Sequence, residues 1–389
     1  MKKILFLGLI SSFLFLEVTA YAEKCSPSQG PFLELEEQAF NWVKPFIKDL
    51  SIEEATEVLI QYYLDKEDSD PDDLNKLLEW TKNQYPQIYK NIVKTLLEKE
   101  DPAPLNPKMI QFKTIAIQHA NEFGEEFYPL LKNRLDGYTP KFFSPYLHAV
   151  ETRELQELVI ALSSHEGSAE LGHAILEDRY NGPKTFEPAT QRNLKAQLSH
   201  LWLKSQIVES LAHLPSQKEF VMTYLNGDNI HLKVGAIRGL GNNSQNWPLL
   251  RPFLDSSDID IKITSAGALK NDVESWPRII SLLSTPHKRL QDEVTTTLYT
   301  STLSPQQSSP HLLEILRASF QLFPDAQDDF SFNHHRQQWF VLRQLRQLDS
   351  IQEDNLRLAL SLEEELSKHP SPNNDVTLEL LKRELKRFH

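Results

Sequence analysis

The chain has 389 residues, 40% of them hydrophobic and 24% charged, with 12 glycines, 23 prolines and one cysteine. Glycine at roughly 3%, under half its usual ~7% share, argues against glycine-turned β-barrels and glycine-rich nucleotide-binding loops, and the hydrophobic content excludes a wholly disordered chain. One cysteine excludes an internal disulfide framework, and 54 acidic against 41 basic residues argue against nucleic acid as the main partner.

In chain order, the first element is an export signal. Lys2 and Lys3 precede an almost wholly apolar run from Ile4 to Phe15. Ala20-Tyr21-Ala22 then places small residues at the two positions that signal peptidase reads. Residues 1–22 are expected to be removed. The run is short for a membrane span of ~20 residues, and Glu17 closes it. Glu23 and Lys24 ahead of Cys25 do not suit a lipidated cysteine. No later segment is apolar enough to span a membrane. The expected location is periplasmic or secreted, with no stable membrane insertion after cleavage.

Residues 23–31 form a polar leader, and residues 32–204 an N-terminal helical region. Ser51-Ile52-Glu53-Glu54 has the form of a capping box. Ala55, Val58, Leu59, Tyr62 and Tyr63 follow at helical spacing. Pro71 suits a first helical position, and Asp72 and Asp73 suit the positive end of a helix dipole. Leu74, Leu77 and Leu78, then Ile88, Ile92 and Leu96, continue the pattern, while prolines cut the region into short helices. No convincing strand pattern occurs, so the fold class is all-α.

Residues 205–304 carry an internal repeat. Leu211, Leu240, Leu269 and Leu298 stand 29 residues apart, and so do Trp247-Pro248 and Trp276-Pro277. Leu225, Leu254 and Leu283 keep the same interval, as do Leu232, Ile261 and Leu290, and Lys233 and Lys262. A fixed period of this length marks a solenoid of stacked helix pairs, because neither helix of a pair buries its apolar face alone. Each unit reads as a first helix from Trp-Pro, a polar turn such as Asp255-Ser256-Ser257-Asp258, and a second helix carrying Ile261, Ser265 and Leu269.

The run Leu232-Lys233-Val234-Gly235-Ala236-Ile237-Arg238-Gly239-Leu240-Gly241 and its counterpart, Asp258 to Leu269, resemble the short HEAT-like repeat of phycobilisome-lyase-type proteins. The resemblance covers about residues 205–300. The third unit departs from it, with Gln291 in place of the basic residue. It implies an α-α superhelix and, most often, a protein-binding role.

Residues 305–389 hold further helices, the last with Leu378, Leu381, Leu385 and Phe388 on one face, suited to capping the open end of the repeats. The run Leu356, Leu358, Leu360, Leu362 alternates, but Leu358, Leu362 and Leu366 also fit a helix, which is the reading adopted.

No motif for chemistry is complete. Asp68, Asp70, Asp72 and Glu79 match a calcium-loop spacing, yet Asp73 stands where the loop needs glycine. His165 and His173 lie eight residues apart, too far for a shared zinc on one helix turn, and His334-His335 adjoins Arg336. No metal or cofactor is expected. Glu209-Ser210 is the dipeptide of lytic transglycosylases without their flanking residues, and Glu209 reads as a surface residue of a repeat helix. No nucleophile elbow or phosphate loop occurs. The binding candidates are the basic residues of the second helices, Lys233, Arg238, Lys262 and Lys270, which otherwise read as solvated residues or as caps on turn aspartates of a neighbouring unit, with Trp247 and Trp276 either as contact aromatics or as seals between stacked units. The expected function is a non-enzymatic exported scaffold for a protein or peptide, with an acidic segment as the suited ligand. The alternative is a cell-wall enzyme or a regulator of a wall hydrolase.

Overall fold

The computed structural model describes residues 51–65, 71–99, 107–137, 145–180, 198–321, 340–345, 353–368 and 372–386, with residues 47, 50, 195 and 347. The expected export signal, the leader with Cys25, Asp68, Asp70, His334, His335 and Phe388 lie outside the described residues. The protein is all-α, with no strand among the described residues, and none of its described helices is long and apolar enough to cross a membrane. The chain divides into two compact units, residues 1–203 and 204–389.

The first unit contains α1 (Ile52–Asp65), α2 (Pro71–Gln84), α3 (Pro86–Glu98), α4 (Pro107–Ala120), α5 (Tyr128–Asp136), α6 (Pro145–Ser163) and α7 (Ala169–Leu176). The capping box forms. Ser51 Oγ accepts from the Glu54 backbone N–H, and Glu54 Oε2 accepts from that of Ser51, both at 3.2 Å. Packing runs between neighbours and next neighbours: α1 on α3, α2 on α3 and α4, α4 on α6, and α6 on α7. Leu74, Leu77, Leu78, Ile92 and Leu96 fill the core between them. The 3-10 turn Asn121–Glu126 joins α4 to α5, and Gly124 supplies the left-handed φ of 54° that a side chain disfavours there. A buried ion pair, Arg134 Nη2 to Glu154 Oε1 at 2.6 Å, ties α5 to α6.

In the second unit the helices recur. The second helices α8 (Leu201–Leu211), α10 (Ile230–Gly241), α12 (Ile259–Ala268) and α14 (Lys288–Tyr299) begin 29 residues apart. So do the first helices α9 (Lys218–Asn226), α11 (Trp247–Leu250), α13 (Trp276–Ser281) and α15 (Pro305–Ser308). Three-residue 3-10 turns starting at Pro215, Ser244 and Val273 lead into α9, α11 and α13. Pro252 cannot donate to a continuing ladder, and α11 passes into the 3-10 turn Arg251–Asp255. α10 packs on α12, and α12 on α14. Leu211, Leu240, Leu269 and Leu298 are all buried, as are Leu225, Leu254 and Leu283.

Two devices hold the register. The first is a column of N-caps. Asn229, Asp258 and His287 each accept a hydrogen bond from the backbone N–H three residues on, Leu232, Ile261 and Leu290, at 3.2, 3.0 and 3.3 Å. The second is the indole pair. Trp247 Nε1 donates to the Gly241 carbonyl and Trp276 Nε1 to that of Lys270, each six residues back and each at 2.9 Å. The Gly241 carbonyl at the end of α10 and the Lys270 carbonyl just after α12 are satisfied in this way.

The unit continues with α16 (Leu312–Gln321), α17 (Glu353–Ser367) and α18 (Pro372–Leu385). The alternating leucines are helical. Leu362 and Leu366 are buried, and Leu360 faces solvent. α17 packs on α18, where Leu381 is buried while Lys382 and Arg383 are exposed.

Candidate functional site

The sequence candidates sit on the second helices and on the joints after them. Lys233 and Lys262 occupy the same place in α10 and α12, one turn in from the N-cap, and both are half-buried. Lys233 Nζ lies 5.9 Å from the centre of the Phe253 ring, at the outer edge of cation–π range. Lys270 follows α12; its backbone carbonyl accepts from Trp276 Nε1 and from Ser301 Oγ, the latter at 2.8 Å.

The local charge balance separates arginines from lysines. Arg251 grips Asp272 with two hydrogen bonds, 2.8 and 2.9 Å, and also bonds Glu274. Arg278 pairs with Asp255 at 3.4 Å and Arg289 with Asp260 at 2.7 Å. Burial opposes ionisation of Asp272, but hydrogen bonds from Arg251 and Ser275 outweigh it and hold the carboxyl below its usual range. Among the described residues no ion pair involves Lys233, Lys262 or Lys270. The repeats therefore pair these arginines internally and leave the three lysines outside the ion pairs. No known family model matches the chain, and no curated protein matches it significantly.

Arg238 belongs with the internally engaged group. Its Nη1 lies 4.0 Å from Glu209 Oε2 on α8. Glu209 is not the surface residue expected. Its side chain is only 26% exposed, and burial pushes its carboxyl up against the pull of Arg238. The adjacent Ser210 is buried.

The tryptophans differ. Trp247 is half-buried. Trp276 is fully buried against His311 and Phe340, so it has no surface to offer a partner and cannot act as a contact aromatic. Its role is to fill the joint behind α12.

A further feature lies beside the two lysines. Ile230 stands one turn before Lys233 and is 41% exposed; Ile259 stands one turn before Lys262 and is half-buried. Residues three apart share a helix face, so an apolar–basic pair recurs at the same place in two successive units. The 29-residue interval between Ile230 and Ile259 was the available signal. In the third unit the column ends: Lys288 replaces the isoleucine, and Gln291 donates to the carbonyls of Leu283 and Thr285 at 3.2 and 2.6 Å. His165 is buried with Nδ1 3.5 Å from Glu125 Oε1, and among the described residues it joins no group of metal donors with His173.

Proposed function

We propose that residues 205–304 form a HEAT-like α-solenoid and that the chain is an exported, non-enzymatic scaffold taking an acidic protein segment on its second helices. The observation that carries this reading is the pair Ile230/Lys233 repeated as Ile259/Lys262, with lysines free of ion pairs where neighbouring arginines are consumed. A strand of alternating acidic and apolar side chains would meet both. Stacked helix pairs present such columns at fixed spacing along an extended face. The export half of the proposal rests on Lys2, Lys3, the apolar run and Ala20-Tyr21-Ala22.

The test is capture from the cell-envelope fraction with the chain starting at Glu23, compared with Lys233→Glu/Lys262→Glu. A partner retained by the natural chain and lost by the charge-reversed one, at unchanged helicity and melting temperature, supports the proposal. Equal retention removes this face. A labelled glutamate-rich peptide measured by fluorescence anisotropy gives the same comparison with a defined ligand, and binding should fall as salt rises. Intact mass of the protein recovered from its producing cell should begin at Glu23.

A further inference from the structure

In the first unit, three helices and a turn bring six polar side chains together. Asn75, Glu79 and Lys82 stand at i, i+4 and i+7 on α2, so they share one face. Tyr89 comes from α3, His119 from the last turn of α4, and Glu122 from the 3-10 turn that follows. His119 is 7% exposed, whereas Glu79 and Glu122 reach solvent.

The imidazole is oriented from behind. His119 Nε2 lies 2.7 Å from Asn75 Oδ1. An amide oxygen only accepts, so Nε2 carries the proton and Nδ1 presents its lone pair. Nδ1 lies 2.9 Å from the Tyr89 hydroxyl, 3.8 Å from Glu122 Oε1 and 4.0 Å from Glu79 Oε1. One donor atom from each of Glu79, His119 and Glu122 falls within 4.8 Å of the other two.

We propose that Glu79, His119 and Glu122 bind a divalent transition-metal ion, with Zn2+ the best match to one imidazole nitrogen and two carboxylate oxygens. Zinc bonds of about 2.0–2.2 Å in a tetrahedron set donor atoms about 3.3–3.6 Å apart. The carboxylate oxygens thus need to approach Nδ1 by only a few tenths of an ångström, which exposed glutamate side chains supply by rotation. Asn75 is the outer partner that fixes the ligating tautomer, the usual arrangement behind a metal-bound histidine. Three protein ligands leave one tetrahedral position for water.

Lys82 marks where the positive charge goes. Its ammonium lies 2.7 Å from Glu122 Oε1 and 3.9 Å from Glu79 Oε2, bridging the two carboxylates. Its side chain is 39% exposed and swings to solvent when the ion enters. The single proton of the Tyr89 hydroxyl goes to Nδ1 in the metal-free protein, and it turns to a neighbouring carboxylate oxygen once the ion takes Nδ1. Metal binding is therefore an exchange of one cation for another, and Lys82 opposes it.

The experiment titrates the full chain, first stripped with a chelator, with ZnCl2 by isothermal titration calorimetry at pH 7.5. One equivalent per chain is expected at this site. Glu79→Gln/Glu122→Gln should lose that equivalent, Asn75→Ala should bind about 10–100-fold more weakly, and Lys82→Met should bind roughly tenfold more tightly because a neighbouring positive charge is gone. Circular dichroism confirms the fold of each variant. No zinc uptake by the natural chain overturns the proposal. So does uptake unchanged in the double glutamine variant, which places the ion elsewhere. Lys82→Met is exposed and does not depend on a core change, and an affinity equal to that of the natural chain overturns the proposal by itself.

Discussion

Gly235 in α10 offers a test of how closely the repeats pack. A Cβ built there would stand 2.1 Å from the Ser205 carbonyl oxygen on α8 and 2.9 Å from its carbonyl carbon. Ordinary contact needs more than 3 Å, so Gly235→Ala must push the backbones of α8 and α10 apart by about 1 Å, and no flexible side chain can yield instead. Overpacking of this kind costs about 1–3 kcal/mol, and a backbone obstacle places it at the upper end. The gain in helix propensity from glycine to alanine returns up to about 1 kcal/mol. The net expectation is a loss of about 2 kcal/mol, or a fall of roughly 4–8 °C in the melting transition of a unit this size. Gly267 in α12 is the control. Nothing lies within 4 Å of a Cβ built there, so Gly267→Ala should be neutral or stabilising by up to about 1 kcal/mol. Differential scanning calorimetry of the full chain measures both. A Gly235→Ala protein as stable as the natural one, or both glycines responding with the same sign, would refute the close approach.

Other perturbations address other regions of the molecule. Trp276→Ala should destabilise by about 3–5 kcal/mol, because it empties a fully buried site and leaves the Lys270 carbonyl without its indole donor; urea denaturation reads the loss. His287→Ala removes one N-cap of the column and should cost about 0.5–2 kcal/mol, while His287→Asp should keep or improve it. His119 gives a pH dependence in chelator-treated protein. Its folded pKa is lowered by burial, against the pull of Glu122 and Glu79 and with Lys82 adding to the lowering. The unfolded chain thus takes up the proton first as pH falls below about 6.5, so the stability from this group is complete above that pH and declines below it. The loss of melting temperature between pH 7.5 and pH 5 should shrink in His119→Gln, and an unchanged loss would assign the effect to other groups such as His213 and His311, whose pKa values burial also lowers.

Much of the helical architecture was legible because apolar periodicity and local capping are sequence-local. Ser51 and Glu54 announced a helix start, and the leucine columns through Leu211 and through Leu225 mark residues that the structure buries. The N-cap column was less legible, since Asn229, Asp258 and His287 perform one task with three residue types. Identity counts there only as a short side chain bearing an acceptor.

Tertiary structure decided the rest. Glycine in α10 and glycine in α12 look alike in sequence, and only the position of the neighbouring helix makes one a tight approach and the other open. Trp247 and Trp276 share a motif and an internal hydrogen bond, yet packing against His311 and Phe340 buries only the second completely. Glu79 was visible as a fragment of a failed calcium loop, but its partners His119 and Glu122 lie about 40 residues further along the chain. No spacing rule joins residues from different helices. A local pattern fixes which face of a helix is apolar, whereas the donors that meet at one point depend on which helices that face is buried against.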